Sequence, residues 1–179
     1  MEKIILVDEN DNQVGTCEKI EGHKNGGKLH RAFSVFIFNS KGEMLLQKRG
    51  NDKYHFGGLW TNTCCSHPRD GETTEQAAHR RLSEEMGFDC PIKEIFAFIY
   101  KATFSNGLTE WEYDHVFIGT HDGEIKPNPN EADGFVWMTI DDLKKDIIEN
   151  PQKYPDFPER YTPWFKQAFK RVIEAVGKA

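Results

Sequence analysis

Three short stretches of this 179-residue chain bring together side chains that can do chemistry. In the first, Glu84 and Glu85 stand side by side near the end of a helical pattern. Paired carboxylates at that end oppose the helix dipole, which favours cations there. A Mg²⁺ ion would offset them, because it takes oxygen ligands and reaches proteins through one or two carboxylates plus substrate phosphates. Arg80 and Arg81, one turn back, would also offset them. In the second stretch, TEWEY at 109–113, two glutamates one residue apart on a strand send both carboxylates to one face and Trp111 to the other. The third, TNTCCSHP at 61–68, sets two thiols beside an imidazole. Adjacent cysteines are poorly placed to bridge each other, and Cys17 and Cys90 complete no even framework, so reduced thiols are expected. Each is then core filler, metal ligand or reactive group.

The elements that must position these groups follow from local periodicity. Residues 3–8 and 13–18 flank the polar run Glu9-Asn10-Asp11-Asn12 and predict a hairpin. The apolar run 32–38, closed by Asn39-Ser40-Lys41-Gly42, and the strand pattern at 43–48 predict a second hairpin with one strand buried on both faces. From Thr73 the period changes: Ala77, Ala78, Leu82 and Met86 recur at helical spacing and stop at Gly87. Further strands are expected at 94–103, 112–119 and 134–138, a short helix at 141–149, a proline-rich surface loop at 151–158, and a closing helix at 163–176 with Pro163 in its first turn. Strands grouped around one long helix, without regular alternation, give an α+β class with a mixed sheet sandwiched between helices and a β extension at the N-terminus.

Composition bounds what this fold can serve. At 179 residues and 37% apolar content, one domain over 1–179 is expected. A net charge of −6 and a pI near 5.7 argue against nucleic acid as a partner, so a bound anion needs a local basic cluster. No signal-like or membrane-spanning apolar run is present, which makes a cytoplasmic protein with no membrane partner the expectation. Oligomeric state is not legible.

From Ser66 to Phe88 the residues resemble the Nudix signature, matching it at Glu72, Arg80, Leu82, Glu84, Glu85, Gly87 and Phe88. Two positions depart. Ser66 replaces a glycine, and Arg81 replaces a glutamate that helps Nudix hydrolases bind the metals that activate water, which favours phosphate binding over hydrolysis. With TNTCCSHP, TEWEY, YTPWF at 161–165 and EGHKNGGKLHRAF at 21–33, the chain resembles the type 1 isopentenyl-diphosphate isomerases, Nudix-fold enzymes, along its whole length.

That resemblance implies interconversion of isopentenyl and dimethylallyl diphosphate by a 1,3-allylic proton shift, with a Nudix pyrophosphohydrolase as the alternative. It implies a divalent ion held by His23, His30, His67, Glu110 and Glu112, a set of imidazoles and carboxylates that suits Zn²⁺ or Mn²⁺. It assigns proton transfer to Cys65 and Glu112 with help from Tyr100, and cation stabilisation to Trp164. Cys64 is expected to be a packed neighbour. The diphosphate would be held by Lys19, Arg49, Lys53 and Arg81, with Mg²⁺ bridging it to Glu85 and to the backbone carbonyl of Cys65.

Overall fold

The computed structural model describes residues 2–51, 56–104, 106–149 and 160–177. In chain order these form β1 (Lys3–Val7), β2 (Gln13–Glu18), a one-turn α1 (Lys19–His23), β3 (His30–Phe38) and β4 (Met44–Arg49). The short β5 (Trp60–Thr61) and β6 (Cys64–Ser66) follow, then α2 (Thr74–Met86), β7 (Ile92–Thr103), β8 (Thr109–Thr120) and β9 (Ala132–Met138). The chain closes with α3 (Ile140–Lys144), which runs into a π turn over Lys145–Glu149, and α4 (Pro163–Val176). The expected proline-rich loop and Lys53 lie outside the described residues.

The sheet is mixed and β3 is its centre. It runs parallel to β8 from His30↔Glu112 to Phe38↔Thr120, antiparallel to β6 over Phe33–Val35, and meets β1 at Leu6↔His30. Its side chains alternate between two cores, as the period of two requires. Phe33, Val35 and Ile37 pack with Ala77, Leu82 and Met86 of α2, while Phe36 packs with Phe165 and Phe169 of α4. Both faces are covered, which is why this strand reads as a continuous apolar run.

The second expected hairpin is only half formed. β3 and β4 pair at Phe38↔Met44 and then part, β4 leaving to pair with β9 and β5. The cysteine-bearing segment is what separates them. Thr63 is fully buried between the strands, where its hydroxyl donates to Leu45 O at 2.8 Å and accepts from Ile37 N at 3.0 Å. Asn62 adds bonds to Val35 O at 3.2 Å and Cys64 O at 2.7 Å. The TNTCC stretch is thus a wedge held by side-chain bonds, and it presents Cys65 where the sheet opens.

Local chemistry fixes the helices. Thr73 and Gln76 form a capping box at the start of α2, and Gly87 ends it at φ 74°. A Cβ there would sit 2.4 Å from Lys126 O, so the position admits no side chain. In α4, Trp164, Phe165, Ala168, Phe169 and Val172 make one buried stripe. Each large apolar side chain buried there contributes roughly 1.5–3 kcal/mol. The N-terminal hairpin packs Ile5 and Val7, with Leu29, against Trp111 and Tyr113 of β8. Among the described residues no helix is long and apolar enough to cross a membrane.

Candidate active site and metal centre

Four separate elements converge on five ligand side chains. His23 ends α1, His30 begins β3, His67 follows β6, and Glu110 and Glu112 alternate along β8. One ligand atom from each lies within 4.8 Å of all the others, and all five residues are buried. Trp111 points to the opposite face, as the spacing predicts, where Lys101 Nζ lies 3.9 Å from its ring centroid.

Two of the three imidazoles are oriented by the backbone. His23 Nδ1 donates to Lys19 O at 2.6 Å and His30 Nδ1 donates to Lys28 O at 2.7 Å. Those bonds turn each Nε2 inward, a common arrangement for histidines that ligate metal. His23 Nε2 then faces Glu110 Oε2 at 2.8 Å, and His67 Nε2 lies 3.1 Å from Glu112 Oε1 and 3.2 Å from His30 Nε2. Each imidazole Nε2 that faces a carboxylate oxygen can share a proton or a metal ion with it, and the set of imidazoles and carboxylates fits a divalent ion. Burial drives the His67 pKa down to about 4, which leaves its ring neutral and able to ligate.

One cavity is lined by Lys19, Arg49, Cys65, Arg81, Glu85, Tyr100, Glu112 and Trp164, together with Glu110 and His67. Every described residue expected to act on substrate or metal is therefore gathered at one site, apart from His23 and His30, which complete the ligand cluster behind it. Cys64 is fully buried in the core against α2, the packed neighbour expected.

Electrostatics set Cys65 and Glu112 apart. Burial pushes the Cys65 thiol up to about 12, with the charges of Glu85 and Glu112 adding to the effect against Arg49. Burial and the Glu110 charge also work against ionisation of Glu112, yet the hydrogen bonds from His30 and His67 hold it below the ordinary carboxylate value. Burial, then the Glu112 charge, raises Tyr100 well above the usual phenol range, so its hydroxyl donates to Glu112 Oε2.

The glutamates at the end of α2 do not wait on a metal for compensation. Glu84 Oε2 accepts from Arg80 Nη1 at 3.1 Å and Arg81 Nη1 at 2.9 Å, and Glu85 Oε1 accepts from Arg81 Nη2 at 2.7 Å. Of the two, Glu85 alone lines the cavity.

Several supporting residues escaped the sequence reading. Gln47 Nε2 donates to Glu85 Oε2 at 2.8 Å, and Glu131 Oε2 lies 3.2 Å from Arg81 Nη2. Thr61 Oγ1 accepts the Trp164 indole N–H at 2.9 Å. Their partners are distant in sequence, so no spacing signals them. Asp114 continues the β8 alternation beyond Glu112 and was legible in principle. It is buried, accepts from Ser34 Oγ at 2.9 Å, and is raised well above the carboxylate range by burial and then by the Glu112 charge.

Comparison with known proteins shows the family. The NUDIX domain model matches residues 28–165. Isopentenyl-diphosphate Delta-isomerase 2 of Photorhabdus laumondii is 51% identical over 166 residues, covering 93% of this chain and 89% of that protein. The protein of the same name from Aromatoleum aromaticum is 48% identical over 172 residues, covering 96% and 87%. Among solved structures, DR0079 from Deinococcus radiodurans superposes with a TM-score of 0.74 at 20% identity over 95% of this chain and 98% of that one, a likeness of fold. With a NUDIX domain across most of its length and about half its residues shared with these enzymes, the chain belongs to the NUDIX-fold isopentenyl-diphosphate Delta-isomerase family.

Proposed function

We propose that the protein interconverts isopentenyl diphosphate and dimethylallyl diphosphate, as one folded unit over 1–179. The observation that carries this reading is the meeting of Cys65 and Glu112 in one cavity with the five-ligand cluster. Moving a double bond along an allylic unit delivers a proton to one carbon and removes one from another. The two groups must therefore enter in opposite protonation states, and a neutral Cys65 thiol beside an ionised Glu112 meets that need.

Tyr100 holds one oxygen of Glu112 and provides a hydroxyl through which a proton can pass. Trp164 turns an aromatic surface to the cavity, where an electron-poor carbon gains about 0.5–2 kcal/mol from the ring quadrupole. Lys19, Arg49 and Arg81 supply the positive charge that a diphosphate requires, and Lys53 is assigned to the same group. Exclusion of water from the cavity would protect a carbocation, which water would otherwise capture.

The histidine–glutamate cluster is assigned to Zn²⁺ or Mn²⁺ on ligand type, an ion that would fix the Glu112 carboxylate and lower its basicity. Glu85 and the Cys65 carbonyl are assigned to Mg²⁺, which would offset the charge of the diphosphate. The cytoplasm, where thiols stay reduced, suits the four free cysteines.

Incubation with isopentenyl diphosphate and Mg²⁺, followed by chromatography of both isomers and a phosphate-release assay, tests the reading. Isomer formation without phosphate release is expected. Release of phosphate with no isomer formed would instead favour pyrophosphate hydrolysis, which the arginine at position 81 disfavours.

A further inference from the structure

Trp164 stands in the first turn of α4 and Cys65 lies on β6, yet both line the same cavity. A run of buried hydrogen bonds joins them. The indole N–H donates to Thr61 Oγ1 at 2.9 Å, the Thr61 hydroxyl donates to Asn62 Oδ1 at 2.9 Å, and Asn62 Nδ2 donates to Cys64 O at 2.7 Å and Val35 O at 3.2 Å. Thr162 Oγ1, from the N-cap of α4, lies 2.9 Å from Thr61 Oγ1. Thr61, Asn62, Cys64 and Thr162 are all fully buried.

Hydrogen-bonding capacity gives the run a direction. Two carbonyls can be bonded only by the amide nitrogen of Asn62, so the amide oxygen must face Thr61. The single Thr61 proton goes to that oxygen, and the two lone pairs of the hydroxyl take the indole N–H and the Thr162 hydroxyl. At the far end, the carbonyl of Cys64 belongs to the peptide unit whose nitrogen is that of Cys65, and a peptide unit is planar. Holding that carbonyl sets the plane from which Cys65 departs. We propose that Asn62 is a positioning residue of the reaction: by gripping the Cys64–Cys65 peptide directly and the Trp164 indole through Thr61, it sets the thiol and the ring at a fixed offset in the cavity. The proposal rests on the isomerase reading and deepens it. A proton delivered to one end of a double bond leaves the positive charge on the other, so proton donor and ring face have to be placed for adjacent carbons. A misplacement of about 1 Å can lower the rate by about 10²-fold.

Steady-state kinetics with isopentenyl diphosphate, expressed per mole of folded protein, test this on Asn62→Ala, Trp164→Phe and the double variant. Asn62→Ala should lower kcat by about 100-fold, with KM within a few-fold of native because the residues assigned to the diphosphate are untouched. Trp164→Phe should lower kcat by a smaller factor in Asn62→Ala than in the native protein, since the ring is already displaced there. If Asn62→Ala does not fold, Thr61→Val takes its place, removing the hydroxyl link at nearly constant shape. Thr61→Ser, which keeps the hydroxyl, should then recover most of the rate. A folded variant with near-native kcat overturns the proposal, as do losses that combine in full in the double variant. Failure of both Asn62→Ala and Thr61→Val to fold also overturns it, by assigning these bonds to stability alone. Isomer formation by the native protein alongside any of these results leaves the isomerase reading standing, whereas a native protein that forms no isomer removes both.

Discussion

Tyr100 and Glu112 face each other directly across the β7–β8 ladder, and the tyrosine hydroxyl donates to the carboxylate oxygen that His67 does not contact. Removing a hydrogen bond to a charged group costs about 1.5–3 kcal/mol. Tyr100→Phe should therefore lower kcat by roughly 10- to 100-fold. Bound metal, measured by elemental analysis, should stay at the native level because all five ligands remain. Equal losses of metal and rate would make Tyr100 a structural support only.

The two adjacent thiols should separate cleanly. Cys65 lines the cavity and Cys64 is packed in the core, so Cys65→Ala should abolish turnover with little change in melting temperature. Cys64→Ala should keep turnover within a few-fold while losing about 1–2 kcal/mol of stability to the cavity it leaves. Turnover and thermal melts of both variants check this, and equal loss of activity in both would mean that the wrong sulfur has been chosen.

Metal removal should loosen the N-terminal part of the molecule. His23, His30, His67 and the β8 glutamates come from four elements, and an ion bound to the folded state alone stabilises it by RT ln(1 + [L]/Kd), about 2.7 kcal/mol at 100 Kd. Chelation should lower the melting temperature, and added Zn²⁺ or Mn²⁺ should restore it in the native protein but not in His67→Ala. A melt unmoved by chelator, with metal shown to be absent, would contradict a structural contribution from the cluster.

Acid stability should depend on Glu72. The Arg80 side chain donates to both of its oxygens, at 2.7 and 2.8 Å, and those bonds hold Glu72 below its ordinary value of 4.5. A carboxylate with a lowered folded pKa stabilises fully above the unfolded value and loses that contribution as pH falls through the folded one. Glu72→Gln should therefore be less stable than the native protein at pH 7, and the gap should close as the pH drops below about 4. Urea midpoints across that range measure it, and a gap independent of pH would place the effect in packing.

Much of the fold was legible because its signals are local. The α2 cap at Thr73 and stop at Gly87, the Pro163 start of α4 and the alternation of Glu110 and Glu112 each depend on neighbours within one turn or one strand. What stayed hidden has distant causes. β5 and β6 are two and three residues long, too short to show a period, and they exist because Thr63 bridges Ile37 to Leu45. The same wedge parts β3 from β4, so turn residues that predict a regular hairpin give one only at its mouth. At the site, the candidate ligands and the residues proposed to handle protons came from a family resemblance. The residues that hold them in place, such as Gln47, Glu131 and Thr61, act through partners between 38 and 103 positions away and leave no pattern in the sequence.

The most direct test of the whole account is proton exchange with solvent. The purified protein, loaded with divalent metal and given isopentenyl diphosphate in deuterated water, should yield dimethylallyl diphosphate carrying deuterium at the carbon that receives the new C–H bond, as read by NMR, and Cys65→Ala should incorporate none. Isomerised product free of deuterium, or undiminished incorporation in Cys65→Ala, would contradict proton transfer by the Cys65–Glu112 pair.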